Sequence, residues 1–244
     1  MGVSAKEVYG LCSLAYYMHE WLTHLESGSE IGAILFDFKK AFDTVPHLPL
    51  LSKLENIGLD PHIITWIHNY LAERQQRVVI NGMSSRSSRV LSGVPQGSIL
   101  GPLLFLIYIN DITDINISME SRLVLYADDI LLFRPIRTIG DYSALQADID
   151  TLSNWATQNT MTFNTAKCKY MKISRKRKCS ISAPSFFLNG CPLEEVPTFK
   201  YLGIIISSDL TWSQHIEGIC SKARKIIGML YRRYLLICRQ QHIA

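Results

Sequence analysis

The stretch that most restricts the folds open to this chain is Leu123-Val124-Leu125-Tyr126-Ala127-Asp128-Asp129-Ile130-Leu131-Leu132-Phe133, two adjacent carboxylates between two apolar runs. Each run is long enough for one buried strand, and so short a link between them predicts a β-hairpin. Both acids then sit at the tip, repelling each other against a core, and something cationic is needed to compensate them. A divalent metal ion is the economical candidate. An ordinary acidic hairpin tip is the plain alternative.

A second acid of the same kind lies upstream. The continuous apolar run Ile31-Gly32-Ala33-Ile34-Leu35-Phe36 predicts a buried strand that delivers Asp37 at its C-terminal end. A carboxylate there is costly unless it is paired or bound to metal.

The segments between these strands alternate in pattern. Leu11, Leu14, Ala15, Met18, Trp21, Leu22 and Leu25 recur at three and four, predicting an amphipathic helix over residues 7–25 that Gly28 closes; its His19 and His24 are ordinary packing or surface residues. A helix over 47–57 closes at Gly58, and Asp60-Pro61 reads as the cap and first turn of another, over 63–71. Residues 77–80 and 89–91 are β-rich around Asn81-Gly82, with a spacer that predicts a loose rather than a two-residue hairpin. Ser92-Gly93-Val94-Pro95-Gln96-Gly97-Ser98 is a punctuated loop before an apolar helix over 100–112. Its Gly97 lets backbone approach a ligand closely, with Gln96 beside it offering a donor and an acceptor. Further on the pattern predicts a helix over 139–157, two short runs over 161–163 and 169–173 that flank Asn164-Thr165-Ala166-Lys167, strands over 186–188 and 199–206, and a basic amphipathic helix over 212–237. The run Arg175-Lys176-Arg177-Lys178 reads as a solvated loop.

Composition bounds the class. With 244 residues, 48% of them hydrophobic and 19% charged, the chain can bury a sizeable core as one large or two modest domains. No apolar run reaches the ~20 residues that a bilayer-spanning helix needs, and residues 1–10 lack a secretory pattern. Six scattered cysteines with no zinc-type spacing indicate reduced, intracellular thiols, with nucleus and cytoplasm undecided. Residues 1–160 hold 11 basic and 17 acidic side chains, residues 161–244 hold 14 and 4. That asymmetry fits a polyanion-facing C-terminal part beside an acidic centre.

Several separated stretches, in order, resemble the reverse transcriptases, and among them the non-LTR (LINE-like) retrotransposon group. Leu35-Phe36-Asp37-Phe38-Lys39-Lys40-Ala41-Phe42-Asp43 is similar to the first palm motif. Gly93-Val94-Pro95-Gln96-Gly97-Ser98-Ile99-Leu100-Gly101-Pro102-Leu103-Leu104-Phe105 is similar to the second, and its Ser-Ile-Leu-Gly-Pro continuation resembles the non-LTR form. Tyr126-Ala127-Asp128-Asp129 resembles the third, while Met161-Thr162-Phe163-Asn164-Thr165-Ala166-Lys167 and Phe199-Lys200-Tyr201-Leu202-Gly203 resemble those that follow.

The resemblance implies an α+β right-hand polymerase fold. Residues 1–208 would form the palm, an antiparallel sheet packed on helices with inserted finger elements, and residues 209–244 the start of a basic helical thumb. It also implies two Mg²⁺ ions, or Mn²⁺, held by Asp37, Asp128, Asp129 and the Phe38 carbonyl, with the three acids catalytic. Lys40, Ala41, Phe42, Gln96, Gly97 and Lys167 would meet the nucleotide, Phe42 as the ring that excludes a ribose 2′-hydroxyl and Lys167 as an aid to pyrophosphate departure. Tyr126, Tyr201, Leu202, Gly203, Lys222, Arg224 and Lys225 would meet primer and duplex. The implied partners are an RNA template, a DNA primer and deoxynucleoside triphosphates, with no membrane. The N-terminal fingers of the family have no counterpart before residue 7 and the thumb is short, which leaves a second expectation: a truncated, weakly active or inactive remnant that at most binds nucleic acid or protein.

Overall fold

A computed structural model describes residues 5–175 and 184–241. The chain opens with helix α1 (Ala5–Glu26) and strand β1 (Glu30–Phe36), then three helices, α2 (Ala41–Thr44), α3 (His47–Asn56) and α4 (Pro61–Leu71). Four two-residue strands follow: β2 (Gln75–Gln76), β3 (Val79–Ile80), β4 (Met83–Ser84) and β5 (Ser88–Arg89). Helix α5 (Leu100–Ile109) runs into a 3-10 turn, and β6 (Arg122–Tyr126) and β7 (Asp129–Ile136) form the acidic hairpin before helix α6 (Ile139–Gln158). Strands β8 (Lys169–Ile173), β9 (Phe187–Leu188), β10 (Cys191–Pro192), β11 (Glu194–Glu195), β12 (Thr198–Tyr201) and β13 (Ile204–Ser207) lead to helix α7 (Ser213–Gln241).

The central sheet has the order β11-β8-β1-β7-β6, antiparallel throughout except for the β11–β8 pair. Its inner strands read as unbroken apolar runs because both faces are covered. Ile34 and Phe36 of β1, with Ile130 and Leu132 of β7, face α3, α5 and α6; Ile31, Ala33, Leu131 and Phe133 face α1 and the β12–β13 hairpin. On that second face Trp21 is fully buried and meets Phe133 edge to face at 5.5 Å. The predicted helix signals act as expected: Asp60 Oδ1 accepts from the His62 N–H at 2.8 Å, and Gly28 and Gly58 take positive φ where α1 and α3 end.

A polar girdle fixes the end of the sheet away from the acidic tip. Arg134 donates to Asp141 Oδ1 from Nε (3.2 Å) and Nη2 (3.0 Å), and Asp141 also accepts from Thr138, boxing the start of α6. Burial alone would raise the Asp141 carboxyl, but the backbone N–H groups of Arg137 and Thr138, the Arg134 guanidinium and the Thr138 hydroxyl hold it below the usual carboxylate range. Nearby, Lys172 and Glu30 pair at 2.7 Å with both side chains under a tenth exposed.

Two elements differ from expectation. The hairpin at Asn81-Gly82 is tight, both residues at positive φ, because β3 pairs with adjacent β4, whose Met83-Ser84 carries no β-rich signal; the predicted partner region supplies β5, which pairs with β2 instead. The apolar run 199–206 folds back on itself at Leu202 (φ 49) and Gly203 (φ 85) into β12 and β13. The basic run at 175–178 lies largely outside the described residues. Among those described, no helix is long and apolar enough to cross a membrane, and Cys168, Cys191 and Cys220 are free thiols.

Candidate active site

Sheet register assembles the acids. Phe36 lies opposite Ile130 and Tyr126 opposite Asp129, so one residue past β1 brings Asp37 level with Asp129, with Asp128 in the turn alongside. That turn is two residues long and holds Ala127 at φ 55, a left-handed conformation that costs a residue with a Cβ of order 1 kcal/mol or more. Such a cost persists only where the surroundings dictate the geometry. Here the antiparallel pairing on both sides of the tip does so.

Asp37 is gripped by the turn that precedes β8. Its carbonyl accepts from the Asn164 N–H at 2.7 Å, its N–H lies 3.4 Å from Cys168 Sγ, and its Oδ2 lies 3.2 Å from Lys167 Nζ. Burial pushes the Cys168 thiol up to about 11, so the sulfur stays protonated and uncharged against the Asp37 backbone. Oδ2 is itself buried and has no hydrogen-bonding partner, since the lysine meets it as an ion pair without the directional geometry. Phe38 stacks on Phe163 at 4.7 Å in an isolated antiparallel bridge whose hydrogen bonds are made by residues 37, 39, 162 and 164. The Phe38 carbonyl therefore takes no part in them.

Among the described residues, no three His, Cys, Asp or Glu side chains are gathered closely enough to hold a metal ion unaided. The donors present are hard oxygens, one of them buried and unsatisfied, which fits a Mg²⁺-type ion that completes its shell with water and phosphate.

The punctuated loop is built onto the segment following Asp37. Gly93 N–H donates to the Val45 carbonyl at 2.7 Å and Val94 N–H to the Phe42 carbonyl at 2.8 Å. Gly93 has φ +93, and a Cβ on it would stand 2.7 Å from the Asp43 carbonyl oxygen. Gln96 Nε2 donates to Asp43 Oδ1 at 2.9 Å, which fixes its amide. At Gly97 nothing lies within 4 Å of where a Cβ would stand, so this backbone is open to approach. Phe42 packs its ring on Phe105, centroids 4.4 Å apart, while Ala41 is buried beneath and Lys40 is exposed at φ 54.

An open cleft of about 590 Å³ extends from this loop, lined by Lys40, Asp43, Arg74, Gln75, Arg89 and Gln96 among others. Sequence reasoning passed over Asp43, Arg74 and Arg89. The signal for the arginines was present: residues 74–92 contain four arginines and no acid. For Asp43 there was none beyond its place beside Phe42. On the opposite side, burial first and then Asp129 push the Tyr201 phenol above its ordinary range. Tyr201 is 1% exposed, so its ring belongs to the core, whereas Leu202 is half-buried and Gly203 exposed at the turn. Lys222, Arg224 and Lys225 are exposed on α7.

Comparison with known proteins decides the family. A model described as reverse transcriptase (RNA-dependent DNA polymerase) matches residues 9–206. The chain belongs to the reverse transcriptase family. This reverse transcriptase is 31% identical over 227 residues to the RNA-directed DNA polymerase from mobile element jockey of Drosophila funebris, covering 90% of the chain and 24% of that protein. It is 29% identical over 202 residues to a retrovirus-related Pol polyprotein from type-1 retrotransposable element R2 of Popillia japonica, covering 74% of the chain and 32% of that protein. Its relatives are thus polymerases of non-LTR elements, and the chain spans about a quarter to a third of their length. Apo telomerase of Candida tropicalis, truncated from its C-terminal domain, superposes with a TM-score of 0.55 at 15% identity over 82% of this chain and 39% of that one, a likeness of fold.

Proposed function

We propose that this chain is the polymerase core of a non-LTR retrotransposon reverse transcriptase, adding deoxynucleotides to a DNA primer 3′-hydroxyl along an RNA template. The observation that carries the reading is the register that brings Asp37 level with the Asp128-Asp129 turn, with Asp37 Oδ2 buried and without a hydrogen bond.

Asp37, Asp128, Asp129 and the Phe38 carbonyl would hold the divalent ions. When bound, those ions supply a lowered pKa for the primer hydroxyl and charge neutralisation at the triphosphate. The chain's own residues orient the reactants. Phe42, backed by Phe105, is too tightly supported to yield to a 2′-hydroxyl. Gln96, tied to Asp43, presents its amide in the lining of the cleft, with open backbone at Gly97 beside it. Leu202 and Gly203 support the primer end. Residues 209–244 begin the thumb, where Lys222, Arg224 and Lys225 meet duplex phosphates, so affinity there falls steeply with salt.

Primer extension on an RNA template with Mg²⁺ tests this. Asp128→Asn is expected to reduce extension about a thousandfold, the scale of several kcal/mol of lost charge stabilisation, while binding of primer-template persists. Equal extension by the variant would overturn the reading. A second reading, a module that only binds nucleic acid or protein, is favoured by the large apolar residues exposed on β3, β4 and α7; well-folded protein that binds primer-template but never extends it would establish that one.

A further inference from the structure

The contacts that the turn before β8 makes with Asp37 differ in kind. The Asn164 N–H and Cys168 Sγ hold its main chain, and both belong to buried or backbone groups with no freedom to leave. Lys167 is the exception. Its side chain is 65% exposed, on a four-carbon stem, and it reaches Oδ2 at 3.2 Å without hydrogen-bond geometry. Partly exposed ion pairs of this sort are weak and readily exchanged. Yet the atom it neutralises is the one buried carboxylate oxygen at the tip that has no hydrogen bond. The neighbouring Lys169 is engaged elsewhere, its Nζ 2.6 Å from Glu194 Oε2.

We infer that Lys167 is a placeholder cation: it neutralises Asp37 Oδ2 until a divalent ion claims that oxygen, so the ion and the ammonium compete for one site. The inference rests on the reading of Asp37 as a metal ligand and goes beyond it in the sign of its consequence. A residue that merely assisted pyrophosphate departure would leave ion affinity untouched, or raise it by ordering the site. A placeholder lowers ion affinity. Its release also couples ion entry to the freeing of a cation three residues beyond the Asn164 backbone contact, where an anionic leaving group would need one.

Mn²⁺ titration followed by electron paramagnetic resonance, on the whole chain without nucleotide, tests this directly. Lys167→Met is expected to bind Mn²⁺ about two- to fivefold more tightly than wild type, the scale of a partly exposed ion pair. Lys167→Arg, which keeps the pair, is expected to stay at wild-type affinity. Unchanged or weaker binding by the Met variant overturns the inference, as does an Arg variant that behaves like Met. Asp37→Asn separates the two layers: if it leaves Mn²⁺ binding as in wild type, the metal reading of Asp37 fails; if it weakens binding and Lys167→Met changes nothing, only the placeholder fails. Melting temperature provides a second readout, since Mn²⁺ should raise it more in Lys167→Met than in wild type.

Discussion

The central sheet and the ribbon formed by β2 to β5 meet opposite fates, although β3 of the ribbon is as apolar as the sheet's own inner strands. In the sheet, Ile34, Phe36, Leu131 and Phe133 are wholly buried because helices or a hairpin cover each face. In the ribbon, Val79, Ile80 and Met83 are 57%, 66% and 80% exposed, and along α7 Ile227 and Tyr234 are each 65% exposed. The sheet finds its complement within this chain, and so the acids at its tip are held without outside help. The ribbon and α7 carry apolar and basic side chains together on open surface, the mixture that nucleic acid or further protein would cover. The carboxylates are therefore anchored in the core, and the surface left for a partner lies at the periphery.

The sharpest test of that division is to strip the sheet of an internal partner. Lys172→Met leaves Glu30 buried without its cation and is expected to cost about 3–5 kcal/mol in urea unfolding. Burial would lower the Lys172 ammonium, but Glu30 and Tyr142 hold it above the ordinary lysine range. The pair's stability is accordingly complete below that range and is lost only as pH rises through the raised value, so the deficit should be constant across neutral pH. Next in size, Gly93→Ala meets both positive φ and the Asp43 backbone, and about 1–3 kcal/mol of destabilisation is expected, together with lost primer extension. Asp141→Asn should cost about 1–2 kcal/mol at pH 7 through its cap and its Arg134 contacts. Because the native Asp141 carboxyl lies below its ordinary value, that contribution is present above the unfolded pKa and disappears as pH falls through the native one; wild type and variant should converge in acid. Least of all, Ile80→Ser and Ile227→Ser are expected to change stability by no more than about 0.5 kcal/mol. A large loss from either would show that the ribbon or α7 is packed after all, and would dissolve the contrast.

The sequence disclosed most where local pattern and tertiary role coincide. β1 and β7 were legible because burial on both faces turns a strand into an unbroken apolar run, and α4 because Asp60-Pro61 signals its start locally. β11 was not: Glu194-Glu195 is two residues of acid, and its parallel pairing with β8 has no periodicity to announce it. The turn at Leu202-Gly203 was hidden inside a run that reads as one strand, since a leucine at positive φ is a poor advertisement for a turn. At the candidate site, the acids stood out as charges embedded in apolar sequence. The bond between Gln96 and Asp43 did not, because it joins residues 53 apart that meet only once the loop has docked on α2.

That docking has an architectural consequence. The bonds from Gly93 to Val45 and from Val94 to Phe42 staple together the two ends of everything between them, helices α3 and α4 and the whole ribbon. Within that excursion α3 and α4 stay packed in the core, but the ribbon beyond them can be lengthened or shortened with little entropic cost, because loop closure grows only slowly with length. The carboxylates sit on the near side of the staple. The ribbon is thus the stretch whose length can vary, as a cassette, while the carboxylate end of the sheet stays as it is.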